Sequence, residues 1–233
     1  MSEKFKICLT MAGAVSAGAY TAGVLDYLFE TLELWEAAKV VNQNLGKNHK
    51  DYDHSIPMHD VEIDIISGTS AGGMAGSILI LALLSKSLQP ARRKDIEEDT
   101  VQNNLLYDLW VNMVDEKNLS TLDKLLATSD LKDTKTVSSL LNSQPIKDLA
   151  NQAFEQDFSF KFPNYISSNL DLILTVTSLE GLKFELNFAG NSNKQGVSIT
   201  THDGFLRYRF NKYNKEKSVE DENPLHYNID LSK

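Results

Sequence analysis

The chain is poor in cysteine, in excess positive charge and in long apolar runs. A single cysteine, Cys8, excludes an internal disulfide and leaves no demand for an oxidising compartment. In a strand-like segment it is expected to be a core residue. Lysine and arginine total 23 against 32 aspartates and glutamates, a net charge of -9, which argues against a mainly electrostatic nucleic-acid binder. No stretch reaches membrane-spanning length without polar interruption, since Ser85-Lys86-Ser87 cuts short the apolar run from Ser77. The N-terminal segment does not read as a signal peptide. Lys4 and Lys6 precede Ile7-Cys8-Leu9, but glycine, serine and alanine follow at once. These features point to a cytoplasmic protein, with peripheral contact to a lipid surface left open.

What remains is an ordinary globular composition, 42% hydrophobic and 24% charged, in 233 residues, enough for one domain with a sizeable core. Phe5 to Met11 reads as a strand, Ala12 to Gly18 as a small-residue loop, and Ala19 to Lys39 as a helix. Val24, Leu25, Leu28, Leu32 and Leu34 form the expected apolar stripe of that helix. Asn42 to Pro57 reads as a polar surface loop. Val61 to Ile66 is a second strand, and Met74 to Leu88, proline-free, a buried helix. From Ala91 to Phe154 the chain is charged and helix-favouring, with helices at 119–127 and 137–154, either outer-layer helices or a cap. Tyr107 and Trp110 at helical spacing read as core rather than lipid contacts. Near Leu170 the period changes. Asp171 to Ser178 reads as a strand, Glu180-Gly181 as a turn, Leu182 to Phe188 as its hairpin partner, and Gly190 to Gly196 as a loop. Val197 to Thr201 and Phe205 to Phe210 read as further strands. Asn211 to Lys233 shows no closing element. The pattern implies an α/β fold with a largely parallel sheet.

Gly68-Thr69-Ser70-Ala71-Gly72 stands between the second strand and its helix and matches G-x-S-x-G, the nucleophile elbow. The bare pattern occurs by chance in many proteins; strand before and helix after make it informative. Small neighbours let the turn close and leave the Ser70 hydroxyl exposed, near the amides of the new helix. A serine nucleophile also needs a base and an oxyanion site. Met11 to Gly18 supplies small residues after the first strand, where backbone amides can approach a ligand. No Gly-Lys-Ser/Thr follows Gly18, and Val15 stands where a dinucleotide loop has glycine, so neither nucleotide motif fits. The histidines read as solvated. His49, His54 and His59 crowd a polar loop without metal-ligand spacing, and His202 is a poor candidate base. Asp64 is expected to face polar partners. A Ser-His-Asp esterase is disfavoured because the elbow follows the second strand so early.

The paired loop and elbow resemble those of the patatin-like phospholipases. Leu9 to Gly18, with Gly23-Val24-Leu25, is similar to the family's glycine-rich oxyanion segment. Gly68 to Gly73 is similar to its nucleophile motif, and Leu174 to Leu179 to a later strand of a bacterial patatin-related branch. The resemblance implies a three-layer α/β/α sandwich and a Ser-Asp dyad that hydrolyses acyl esters of lipids, with no metal or other cofactor. Ser70 would be the nucleophile, Gly68 and Gly72 the elbow glycines, and Gly13, Ala14 and Val15 the oxyanion hole. The loop departs from the family's, since Gly13-Ala14-Val15 replaces consecutive glycines and Ala17 replaces a basic residue. The aspartate motif is also altered. Asp203-Gly204 is the one Asp-Gly present, followed by Phe205 rather than a small residue. Asp203 is a weak candidate base. The expectation is that the dyad aspartate lies beyond Lys233 and that residues 1–233 form one domain incomplete at its C-terminal end. The expected partner is a lipid or ester substrate. A non-catalytic lipid-binding module that kept the fold is the alternative.

Overall fold

The computed structural model describes residues 4–14, 18–85, 104–112, 119–131, 139–155, 162–186, 197–211 and 226–230. Residues 92, 94, 97–98, 101, 115–116 and 157–158 are described as shorter pieces between them. Strand β1 (Lys4–Met11) leads through the loop to α1 (Gly18–Leu45), and β2 (Asp60–Gly68) leads to α2 (Ala71–Leu84). Further on lie α3 (Gln144–Phe154) and strands β3 (Ile166–Leu186), β4 (Val197–Asn211) and β5 (His226–Asp230). The five strands form one sheet in chain order. β1, β2 and β3 are parallel, β4 is antiparallel to β3, and β5 is parallel to β4.

Alternation along the strands decides which face is covered. Ile63 and Ile66 of β2 and Leu170 of β3 are fully buried, packed with Leu25 and Phe29 of α1 and Leu79 of α2 in one cluster. Burying each such side chain contributes about 1.5–3 kcal/mol. Bulges at Ile7/Cys8 and Ile63/Ile65 keep the pattern in phase. Residues of opposite parity carry charge. Lys6 Nζ lies 2.7 Å from Asp64, as expected for that carboxylate, and Lys4 pairs with Glu62. The chain is α/β, a mixed and mostly parallel sheet with helices around it. Among the described residues α1 and α2 pack on the Ile63/Ile66 face, and the opposite face of β1 is bare. Cys8 sits on that bare face and is exposed, which corrects its reading as core: Ile7, Leu9 and Met11 take the helix side, and the residue between Ile7 and Leu9 must turn away.

Other boundaries also differ from the sequence reading. α1 runs to Leu45 and ends where Gly46, at φ 76°, donates to the Asn42 carbonyl at 3.0 Å, a left-handed helix stop. Asn42 is buried, and its amide clamps the backbone of Asp53. The buried stripe of α1 is Ala22, Leu25, Phe29 and Leu32; Val24 and Leu34 are exposed. Trp110 packs against the main core. Glu180-Gly181 is a bulge inside one long strand rather than a hairpin turn, and β3 pairs with β4 on both sides of it. The two later strands expected at 197–201 and 205–210 are one, and His226–Asp230 adds an unforeseen strand. The loop expected at 190–196 lies outside the described residues.

Candidate active site

The turn after β2 is tight for a stated reason. The Gly72 amide donates to the Thr69 carbonyl at 3.0 Å, and the Met74 amide to the Ser70 carbonyl at 3.0 Å, so turn and helix share one hydrogen-bonded corner. Ser70 has φ 53° and ψ -120° and is the one non-glycine residue with positive φ among those described. These angles match the first central position of a type II′ turn, which favours glycine. Holding a serine there costs about 1–3 kcal/mol. The side chain is exposed and makes no capping bond to the helix it precedes, although serine at an N-cap commonly does.

The flanking glycines are required by contact. A Cβ on Gly68 would lie 2.4 Å from the carbonyl carbon and oxygen of Gly72. One on Gly72 would lie 2.5 Å from the Met11 carbonyl oxygen and 2.7 Å from that of Ala12. A side chain at Gly68 would force the strand end from the helix start, and one at Gly72 would force the helix start from the end of β1. The Thr69 amide donates to the Met11 carbonyl at 3.2 Å, joining the turn to the first loop. Gly13 lies flush against the serine, since a Cβ added to it would be 3.2 Å from Ser70 Cβ. Ala14 follows, half-buried; Val15 lies outside the described residues. The N-terminus of α2 adds its unsatisfied amides and partial positive charge. The residue after Ser70, at the position whose amide serves the oxyanion in nucleophile elbows, is Ala71.

Two contacts were not foreseen. Thr175 Oγ1 donates to Thr69 Oγ1 at 2.9 Å, tying β3 to the elbow. At the far end of the first loop, a Cβ on Gly18 would lie 2.1 Å from the Trp110 ring, so that glycine admits the indole of the π-helical turn Asp108–Asn112. Small residues on both sides of the loop were the only sequence signal of either contact.

Pairing sets Asp203 two strands across the sheet from the elbow. Asp203, on β4, pairs with Thr177 of β3, while Gly68, at the end of β2, pairs with Leu174 of β3. The two levels differ by roughly 10 Å along the strands and by two strand spacings of about 4.8 Å across the sheet. His202 has its Nδ1 2.8 Å from the Ser178 carbonyl oxygen. The carboxylate with the firmest partners is Asp171, on the bare face, held by Arg207 at 2.6 Å and by Arg209 at 2.8 and 2.9 Å. Burial alone would raise its pKa, but the two guanidinium groups outweigh it and hold the carboxyl below its usual range. Among the described residues no cluster of three or more His, Cys, Asp and Glu could hold a metal ion. No described helix is long and apolar enough to cross a membrane.

A strained serine between parallel strand and helix, with a small-residue loop against it, defines the class of α/β proteins built around a nucleophile elbow. The model of the patatin-like phospholipases matches residues 9–221, and the chain belongs to that family. It is similar to the uncharacterized protein y4iI of Sinorhizobium fredii, 28% identical over 207 residues. That match covers 88% of this chain but 28% of the relative, so the chain spans little more than a quarter of it. No solved structure matches the chain.

Proposed function

We propose that the chain is the serine acyl-hydrolase domain of a lipid-cleaving protein, working through an acyl-Ser70 intermediate. The observation that carries this reading is the backbone of Ser70: a strained, glycine-type conformation kept by a serine whose hydroxyl caps nothing. Ser70 Oγ attacks the ester carbonyl and gives its proton to an aspartate. The amides of Gly13, Ala14 and Val15, with that of Ala71, hold the charge that develops on the carbonyl oxygen. The ester C–O bond breaks, the alcohol leaves with the proton from the aspartate, and water then frees the acyl group. The chemistry uses no metal. Asp203 is the base candidate within the chain, and its distance from the elbow favours a carboxylate from elsewhere.

That same distance favours a second reading, a lipid-binding module that kept the fold without turnover. A fluorophosphonate probe separates the two. The expected result is covalent labelling at Ser70 and hydrolysis of a chromogenic acyl ester, both abolished in Ser70→Ala. Hydrolysis that persists in Ser70→Ala ends the proposal, and an unlabelled native serine supports binding alone. Labelling that survives Asp203→Asn assigns the base to another carboxylate. The reading places the protein in the cytoplasm, in peripheral contact with lipid.

A further inference from the structure

β3 runs parallel to β2, so its continuation beyond Leu174 leaves the sheet at the carboxyl end, where the elbow sits. There, among the described residues, it pairs only with β4, and the two strands project as an antiparallel ribbon from Leu182↔Thr201 to Leu186↔Val197. A bulge stands at its root. Between Thr177 and Leu182 β3 takes five steps while β4, from Asp203 to Thr201, takes two. The excess is odd, and an odd excess moves all later side chains of β3 to the other face. It therefore aligns Leu182, Phe184 and Leu186 with Val197 and Ile199 on one face. Lys183, Glu185, Ser198 and Thr200 take the other. Gly181, at φ 73°, makes the bulge possible. The apolar face is open to solvent: Phe184 is 51% and Ile199 46% exposed.

We infer that this ribbon face is a docking surface for a neutral or zwitterionic lipid surface, a proposal that rests on the acyl-hydrolase reading for its partner. Three observations favour lipid over protein. The footprint, about 14 Å by 10 Å, is far below the ~800 Å² per partner of a stable protein interface. A shallow apolar insertion needs no such area. From Leu182↔Thr201 outward the face carries no charge, and its one charged neighbour at the root, Asp203, is acidic. With that and a net charge of -9 the chain has no general attraction to anionic lipid. The ribbon also rises from the elbow itself, since Thr175 at its base is bonded to Thr69. The centre of the patch lies roughly 20 Å beyond Thr175 along the strands. The ribbon thus tethers the sheet with its elbow end toward the surface; it does not itself deliver the ester.

Flotation with phosphatidylcholine vesicles tests this. The native chain and Ser70→Ala are expected to float alike, while the doubly substituted Phe184→Ser/Ile199→Ser, with an unchanged circular dichroism spectrum, partitions at least about tenfold less. As a second measurement, Phe184→Trp gains an emission that shifts blue and is quenched by brominated lipid. Equal flotation of the double variant, or an added emission in Phe184→Trp that brominated lipid leaves unquenched, overturns the proposal. So does a concentration-dependent dimer lost in the double variant while the native chain ignores vesicles, which would make a second copy the occupant. Ribbon-dependent flotation with an unlabelled Ser70 removes the acyl-hydrolase reading and leaves the ribbon. Labelling without flotation does the reverse.

Discussion

Ser70 makes the fold less stable than it could be, and the cost can be measured. The residue is held at φ 53° and ψ -120°, angles that burden any side chain with a Cβ by about 1–3 kcal/mol. Glycine is free of that burden but adds about 0.5–1 kcal/mol of chain entropy to lose on folding. Ser70→Gly should therefore be more stable than Ser70→Ala by about 1 kcal/mol, because alanine keeps the Cβ. For a chain of this size that is roughly 3 °C in melting temperature. Both variants lack the hydroxyl, so the comparison isolates backbone conformation from chemistry. Thermal melts of the three proteins, with fluorophosphonate labelling alongside, provide the assay. The expected order is glycine above alanine, with alanine close to the native protein and neither variant labelled. If Ser70→Gly melts at or below Ser70→Ala, the turn is not strained at this position, and the strongest structural argument for a nucleophile disappears.

Two more outcomes follow from particular contacts. Gly72→Ala places a methyl group 2.5 Å from the Met11 carbonyl oxygen. It should cost more than about 2 kcal/mol and depress Ser70 labelling more than an alanine at the open position Gly23; urea titration and probe labelling check both. Asp171→Asn leaves Arg207 and Arg209 without their carboxylate. With those guanidinium groups 29% and 41% exposed, the loss should be about 1–2 kcal/mol. The folded carboxyl titrates below its unfolded value of about 3.9, so its contribution is complete above that pH and fades as pH falls toward the folded value. The difference in urea midpoint between native and variant should be full at pH 7 and narrow steadily as pH falls below about 4; a gap that stays constant into acid contradicts the assignment.

The elbow was legible because its chemistry is local. Gly68, Ser70 and Gly72 lie within five residues, and each is dictated by backbone contacts or angles that only a small residue tolerates. The first three parallel strands were legible for a similar reason, as short β-branched or apolar runs separated by helical ones. Elements whose identity depends on partners distant in sequence were missed. Glu180-Gly181 has turn chemistry, yet pairing with β4 on both sides keeps the chain extended and turns it into a bulge. Asn44-Leu45-Gly46 looked like a loop because Asn42 is polar; its burial is explained only by the Asp53 backbone it clamps. Cys8 differs because an apolar strand reads as covered on both faces, whereas β1 leaves the Cys8 face exposed. The role of Gly18 becomes visible only when Trp110, remote in the chain, arrives beside it.

The lone thiol sits on the side of the sheet that no described helix covers. Anything that settles over the β1 edge of that side would shield it from small alkylating reagents. Occupancy of the bare side can therefore be followed as a slowed reaction rate at one native atom, with no label engineered into the chain.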